Sequence, residues 1–189
     1  PSTPLLSQRA PFWRRRRHRC SMAYRIAIAD QSMGAAEIDA DALQLAATTA
    51  LQQTQQPDET GLSITLMDDA GIQALNSAFR SVDAPTDVLS FSAMEGESFV
   101  LPEGLPVDLG DVIISMETAA RQAQEMGHSV QAEVTLLAVH GTLHLTGMDH
   151  STAEEQARMW EAQDRILASV GCSLRSYVPP DSLAGEADG

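Results

Sequence analysis

From Tyr24 the chain alternates apolar and polar side chains in "YRIAIAD", the period of two that a half-buried strand requires. Helical spacing then takes over and predicts a helix from about Glu37 to Thr54, followed by a loop of Gln, Pro, Asp and Glu. "LSITLMDD", from Leu62, returns to alternation as a second strand, and Asp68 or Asp69 is placed to cap a helix running through Phe79. "TDVLSF", Thr86 to Phe91, reads as a short strand. Gly96, Pro102, Gly104 and Pro106 break the chain into a long loop before "GDVIIS", Gly110 to Ser115. A helix from about Met116 to Met126 stops at Gly127, and Ser129 can cap the next. In that next helix Val134, Leu136, Leu137, Ala138, Val139, Leu143 and Leu145 leave almost no polar face, and a helix apolar all round is a buried one. Gly147 is placed to end it in a left-handed turn. Ser151 and Glu154, at S-x-x-E spacing, predict a capping box for a final helix to about Val170, stopped by Gly171. Strands and helices mix without strict alternation or internal repeat, so the expected class is α+β: a small mixed sheet packed by helices around one central buried helix.

Length and composition narrow this picture. With 189 residues, 43% of them apolar, one core and one domain are expected, and no apolar run approaches the roughly 20 residues of a membrane span. Cys20 and Cys172 lie far apart without CxxC spacing, which suggests neither a disulfide framework nor a zinc ribbon, and a reducing compartment is the simplest setting. Charge is distributed unevenly. All twelve basic residues are arginines and six precede Met22, where there is no acid, so the net charge of −14 resolves into +6 on the first 21 residues and −20 on the rest. A body that acidic repels nucleic acid at long range, which counts against a general coat protein and demands a local positive site for any anionic substrate. Residues 1–21 are set aside as a disordered arm, 22–178 as a single catalytic domain, and 179–189 as a flexible acidic tail. Three readings of the arm stay open: translated sequence upstream of a start at Met22, an organelle-targeting segment, or an RNA-binding tail.

The candidate chemistry lies in "VHGTLHLTGMDH", which puts three of the five histidines within twelve residues. His140 and His144, four apart, stack on one helical face, and a turn at Gly147 can return the chain so that His150 approaches the same point. Three imidazoles with a fourth position open is the pattern of catalytic zinc, and this makes the three the candidate ligands of one ion. A single histidine on an apolar helix is usually a satisfied core residue; three spaced H-x3-H-x5-H around a turn glycine are harder to explain that way. Asp149 is read either as a carboxylate orienting an imidazole or as a turn former. The spacing matches the metzincin protease signature H-E-x-x-H-x-x-G-x-x-H except that Gly141 stands where the protease has its glutamate. Without that proton acceptor a peptidase is the weaker reading.

"HGTLHLTGMDH" resembles the HGxLHLxGxDH signature of the YbeY family, single-strand-specific, metal-dependent endoribonucleases of ribosomal RNA maturation. The likeness extends over "NSAFRSVDAPTDVLSF", "LGDVIIS" and "SVQAEVTLLAV", and so over most of Ile64 to Leu167. The resemblance implies zinc on His140, His144 and His150, and a functional arginine at Arg80, with Arg80 and His140 as candidate catalytic residues. The expected mechanism is hydrolysis by zinc-bound water, with Arg80 stabilising the charge that develops on the phosphoryl oxygens; no general base is assigned. The implied partners are single-stranded ribosomal RNA, cleaved in maturation of the 16S 3′ end, and the small ribosomal subunit. No membrane is implied, and the oligomeric state is left open. The bacterial cytoplasm is the expected location, or an organelle if the arm is a targeting segment. Two alternatives remain: a metalloprotease-like zinc hydrolase, and a zinc used only structurally.

Overall fold

Residues 24–32, 36–93 and 106–174 are described by a computed structural model of the chain. The arm, the acidic tail, and Gly96, Pro102 and Gly104 lie outside the described residues. Strands β1 (Arg25–Asp30), β2 (Gly61–Met67), β3 (Val88–Ser92) and β4 (Asp108–Ser115) form one sheet in the order β1-β2-β4-β3. The first three of these neighbours run parallel, and β3 pairs antiparallel with β4 as an edge strand. Helices α1 (Ala40–Gln53), α2 (Asp69–Arg80), α3 (Met116–Met126), α4 (Val130–Leu145) and α5 (Ala153–Ser169) complete the α+β fold expected from the pattern.

Alternation decides which face of the sheet is covered. Leu62, Ile64 and Leu66 of β2 and Val112 and Ile114 of β4 are buried, while Ser63 and Thr65 between them are only partly so and Asp111 is exposed. Helix α4 packs on β3 and β4 and is surrounded by α1, α3 and α5. Val134, Val139 and Leu143 are fully buried at the centre of this cluster. Burying such a side chain is worth roughly 1.5–3 kcal/mol, which is why a helix without a polar face settles in the middle. Glu133 is the charged exception. Burial pushes its carboxyl up, and the hydrogen bond to the His128 imidazole opposes that shift. Among the described residues no helix is long and apolar enough to cross a membrane.

The helix ends follow capping chemistry, with three corrections to the expected boundaries. Helix α1 starts at Ala40 because Asp39 accepts from the amides of Asp41 and Ala42, so the Glu37 start was too early. Strand β4 begins two residues before Gly110. Asp68 caps α2, leaving Asp69 to accept hydrogen bonds from Ser115, Thr118 and Arg121; burial works against the Asp69 carboxylate, but these bonds outweigh it and hold its pKa low. The capping box of α5 is Thr152 with Glu155, not Ser151 with Glu154. Ser151 donates its hydroxyl to Asp149 instead, so the turn after the histidines uses it and the helix opens one residue later.

Candidate metal centre

Helix α4 carries His140 and His144 to the side of the sheet where β3 forms the edge. The two Nε2 atoms lie 3.1 Å apart, inside the span of two nitrogens sharing one ion at bond lengths of about 2.0–2.1 Å. After the α4 cap at Thr146, Gly147 takes φ +88°, and the chain turns back. That turn brings in His150, so that one nitrogen from each ring falls within 4.8 Å of the other two. The expected turn glycine and the three expected ligands are therefore placed together.

Two of the donors, His140 and His144, are also biased toward the neutral form. Burial, then the charge of His144, drives the pKa of His140 down to about 4 against the opposing effect of its hydrogen bond to Gln163. His144 is likewise lowered, by burial and then by the charge of His150; a hydrogen bond to the Met148 backbone opposes the shift, and the charge of Arg80 adds a little to it. Neutral imidazoles at neutral pH are the form that binds a cation. The Gln163 Oε1 lies 3.1 Å from His140 Nδ1, which keeps the ring proton on that nitrogen and turns the Nε2 lone pair toward the other histidines. Gln163 is 1% exposed. The donor set and its hydrogen bonding fit a metal of borderline softness such as zinc.

Sequence reasoning missed Gln163, although a signal existed: it is a polar residue within the buried stripe of α5 formed by Met159, Ala162, Ile166 and Leu167. Asp149, which had two readings, accepts from the His150 amide and the Ser151 hydroxyl, the contacts of a turn former. Those two hydrogen bonds hold its carboxyl below the usual range. The imidazole-orienting contact is made by Gln163 instead.

Arg80 ends α2, followed by Ser81 at φ 60°. Its Nη2 donates to the Ser90 carbonyl oxygen at 3.3 Å, and among the described residues no carboxylate forms an ion pair with it. Arg80, the three histidines, Asp87, Ser90 and Ser92 line one open cleft of about 600 Å³. Asp87 is held there by the Val88 amide and the Gln122 side chain.

Gly141 faces the sheet. A Cβ there would stand 2.5 Å from Val112 Cγ1 and 3.1 Å from Ser90 Oγ, and the Ser90 hydroxyl donates to the Gly141 carbonyl across the same contact. The glycine is what lets α4 close on β3 and β4, and no glutamate side chain fits at the position without moving that contact.

A family model described as Endoribonuclease YbeY matches residues 27–171. Proteins named Endoribonuclease YbeY include one from Roseiflexus sp. (strain RS-1), 43% identical over 141 residues that cover 74% of this chain and 88% of that protein. Another, from Symbiobacterium thermophilum, is 50% identical over 113 residues, covering 59% of this chain and 72% of the relative. A third, from Moorella thermoacetica, is 53% identical over 116 residues, covering 60% and 74%. The solution structure of a Thermotoga maritima protein superposes with a TM-score of 0.50 at 20% identity, covering 82% of this chain and 97% of that one, a likeness of fold.

Proposed function

The chain belongs to the YbeY endoribonuclease family, and from that premise we propose that it is a zinc-dependent endonuclease of single-stranded RNA acting in ribosomal RNA processing. The observation that carries the reading is the pairing, in one cleft, of three converging imidazoles with an arginine that has no carboxylate partner among the described residues. A metal alone suits many hydrolyses. A guanidinium beside it, with no carboxylate partner among the described residues, suits an anionic substrate.

His140, His144 and His150 would hold the ion, which when bound supplies a Lewis acid for a phosphoryl oxygen and lowers the pKa of water to about 7. Arg80 clamps the non-bridging oxygens of the phosphodiester, with two-point contacts that strengthen as charge gathers on them. Gln163 retains the proton on His140 Nδ1 throughout, so the ring serves as ligand and not as acid. The turn built by Gly147 and Asp149 keeps His150 at the mouth of the cleft.

Two observations weigh against a peptidase. The position of the protease glutamate is closed by Val112 and Ser90. The β3 edge beside the histidines, where an extended peptide would add as a strand, has its Ser90 carbonyl taken by Arg80. A purely structural ion fits poorly with the three ligands found among the described residues in an open cleft, since structural zinc sites close on four. The small ribosomal subunit is the proposed partner, in the bacterial cytoplasm or an organelle: a charge of −20 outside the arm disfavours free RNA at long range, and ribosomal proteins would supply the missing positive field.

The test is cleavage of single-stranded RNA, duplex RNA and casein by the zinc-loaded full chain, with chelator and after zinc is restored. Cleavage of single-stranded RNA alone, lost with chelator and regained with zinc, is expected. His144→Ala purified in parallel should lose zinc and cleavage together, which excludes a contaminating nuclease. Casein cleavage, or RNA cleavage that persists in His144→Ala, overturns the reading.

A further inference from the structure

We propose that Phe79, seated against Phe91 on the outer side of strand β3, is a stacking platform for one unpaired nucleobase of the RNA strand that Arg80 holds. The inference rests on the endoribonuclease reading and names what that cleft alone does not contain, a group that recognises bases.

Phe79 is 67% exposed, the most open of the large apolar side chains among the described residues. A ring that open adds little to the core, and α2 already has its anchor in Ile72, which is fully buried. Its ring is held in place all the same, with its centroid 5.1 Å from that of Phe91 in an edge-to-face contact. The placement is specific. Ser90 and Ser92 line the metal cleft, so by strand alternation Phe91 between them points to the opposite face of the sheet. Since β3 is the edge strand among the described residues, the cleft and the aromatic pair lie on the two sides of that edge. Arg80 follows Phe79 directly and reaches that edge at the Ser90 carbonyl.

An RNA strand crossing the edge can leave a phosphate with Arg80 and lay the neighbouring base on Phe79. Only an unpaired base can do so, because the bases of a duplex are already stacked and paired. Phe79 thereby gives the site a physical basis for preferring single strands. Charge adjacency favours RNA over a protein as the occupant of this apolar patch.

The experiment measures binding by the zinc-loaded full chain with a fluorescently labelled single-stranded RNA and a strand of the same length in which the bases are absent. Phe79→Leu, which keeps an apolar side chain but no ring face, should weaken RNA binding by about fivefold or more, the low end of the loss of one base stack. It should bind the abasic strand as the parent protein does, and Phe79→Tyr should bind RNA within twofold. Matching melting temperatures establish that packing is unchanged. If Phe79→Leu binds RNA within twofold of the parent, or weakens both strands equally, the proposal is wrong and the patch serves another contact. If the parent protein neither binds nor cleaves RNA, the endoribonuclease reading falls as well; if it cleaves RNA in a chelator-sensitive way and only the Phe79 result fails, that reading stands.

Discussion

Replacing Gln163 by leucine is expected to weaken zinc binding by about 5- to 150-fold while leaving the metal-free fold in place. The magnitude follows from one hydrogen bond. With a metal on Nε2, the only proton of the His140 ring is confined to Nδ1, which faces Gln163 Oε1 at 3.1 Å. Gln163 is 1% exposed, so the leucine variant offers that proton no water, and a buried donor left unsatisfied costs about 1–3 kcal/mol. The cost falls on the metal-bound state. Without metal the neutral ring can carry its proton on Nε2, toward the cleft, and any other hydrogen bond of the amide is lost from both states and cancels. Converted at 1.4 kcal/mol per tenfold, the range agrees with the roughly 10–100-fold found when such outer partners of ligating histidines are removed. The assay is zinc titration in competition with a chromogenic chelator, beside circular dichroism and melting of the metal-free protein. Gln163→Glu, which keeps an acceptor oxygen at the position, should restore most of the affinity. A leucine variant that folds and binds zinc within twofold of the parent would refute the argument.

Arg80→Ala should retain zinc and fold while single-turnover RNA cleavage drops by about 10²-fold or more, the scale of one lost transition-state donor; Arg80→Lys should recover little, since an ammonium lacks the planar two-point contact. Cleavage by Arg80→Ala within about threefold of the parent contradicts the assignment. Gly141→Ala gains up to about 1 kcal/mol of helix propensity but meets Val112 Cγ1 at 2.5 Å, a clash of about 1–3 kcal/mol. Activity should therefore fall more than stability does, with Val112→Ala restoring it in the double variant; a fully active single variant would show that α4 does not need this approach. In metal-free protein, the folded pKa of His140 lies near 4 against 6.5 in the unfolded chain, so below pH 6.5 the unfolded chain takes up a proton that the folded protein refuses. Stability should be full above that pH and fall as pH drops toward 4, by a total on the order of 3 kcal/mol, with His144 acting in the same direction. Melting of chelator-treated protein at pH 7.5 and 5.5 reads this directly, and a flat profile contradicts it.

Elements with a strong period or a cap were legible along the chain. Alternation marks β1 and β2, Gly127 stops α3, and the all-apolar run after Ser129 announces a buried helix, because these depend on neighbours a few residues away. The one-residue slip of the α5 capping box has a local cause too, but a side chain had to choose between two partners: Ser151 went to Asp149, and S-x-x-E spacing does not record that competition.

The ligand triad was legible for the same reason. His140 and His144 share a helical face by period alone, and Gly147 supplies the turn that returns His150. What only the tertiary structure decided is everything that comes to the triad from elsewhere in the chain. Gln163 reaches His140 from 23 positions away, on a helix whose register against α4 is set by packing. Gly141 looks like a missing catalytic glutamate until Val112 and Ser90 are seen to occupy its space. Phe79 and Phe91, apart in sequence, become a pair only because the end of α2 is brought against strand β3. Local periodicity determines which side chains share a face; which face meets which is determined by the joint burial of apolar surface, a property of the whole core that no short stretch of sequence contains.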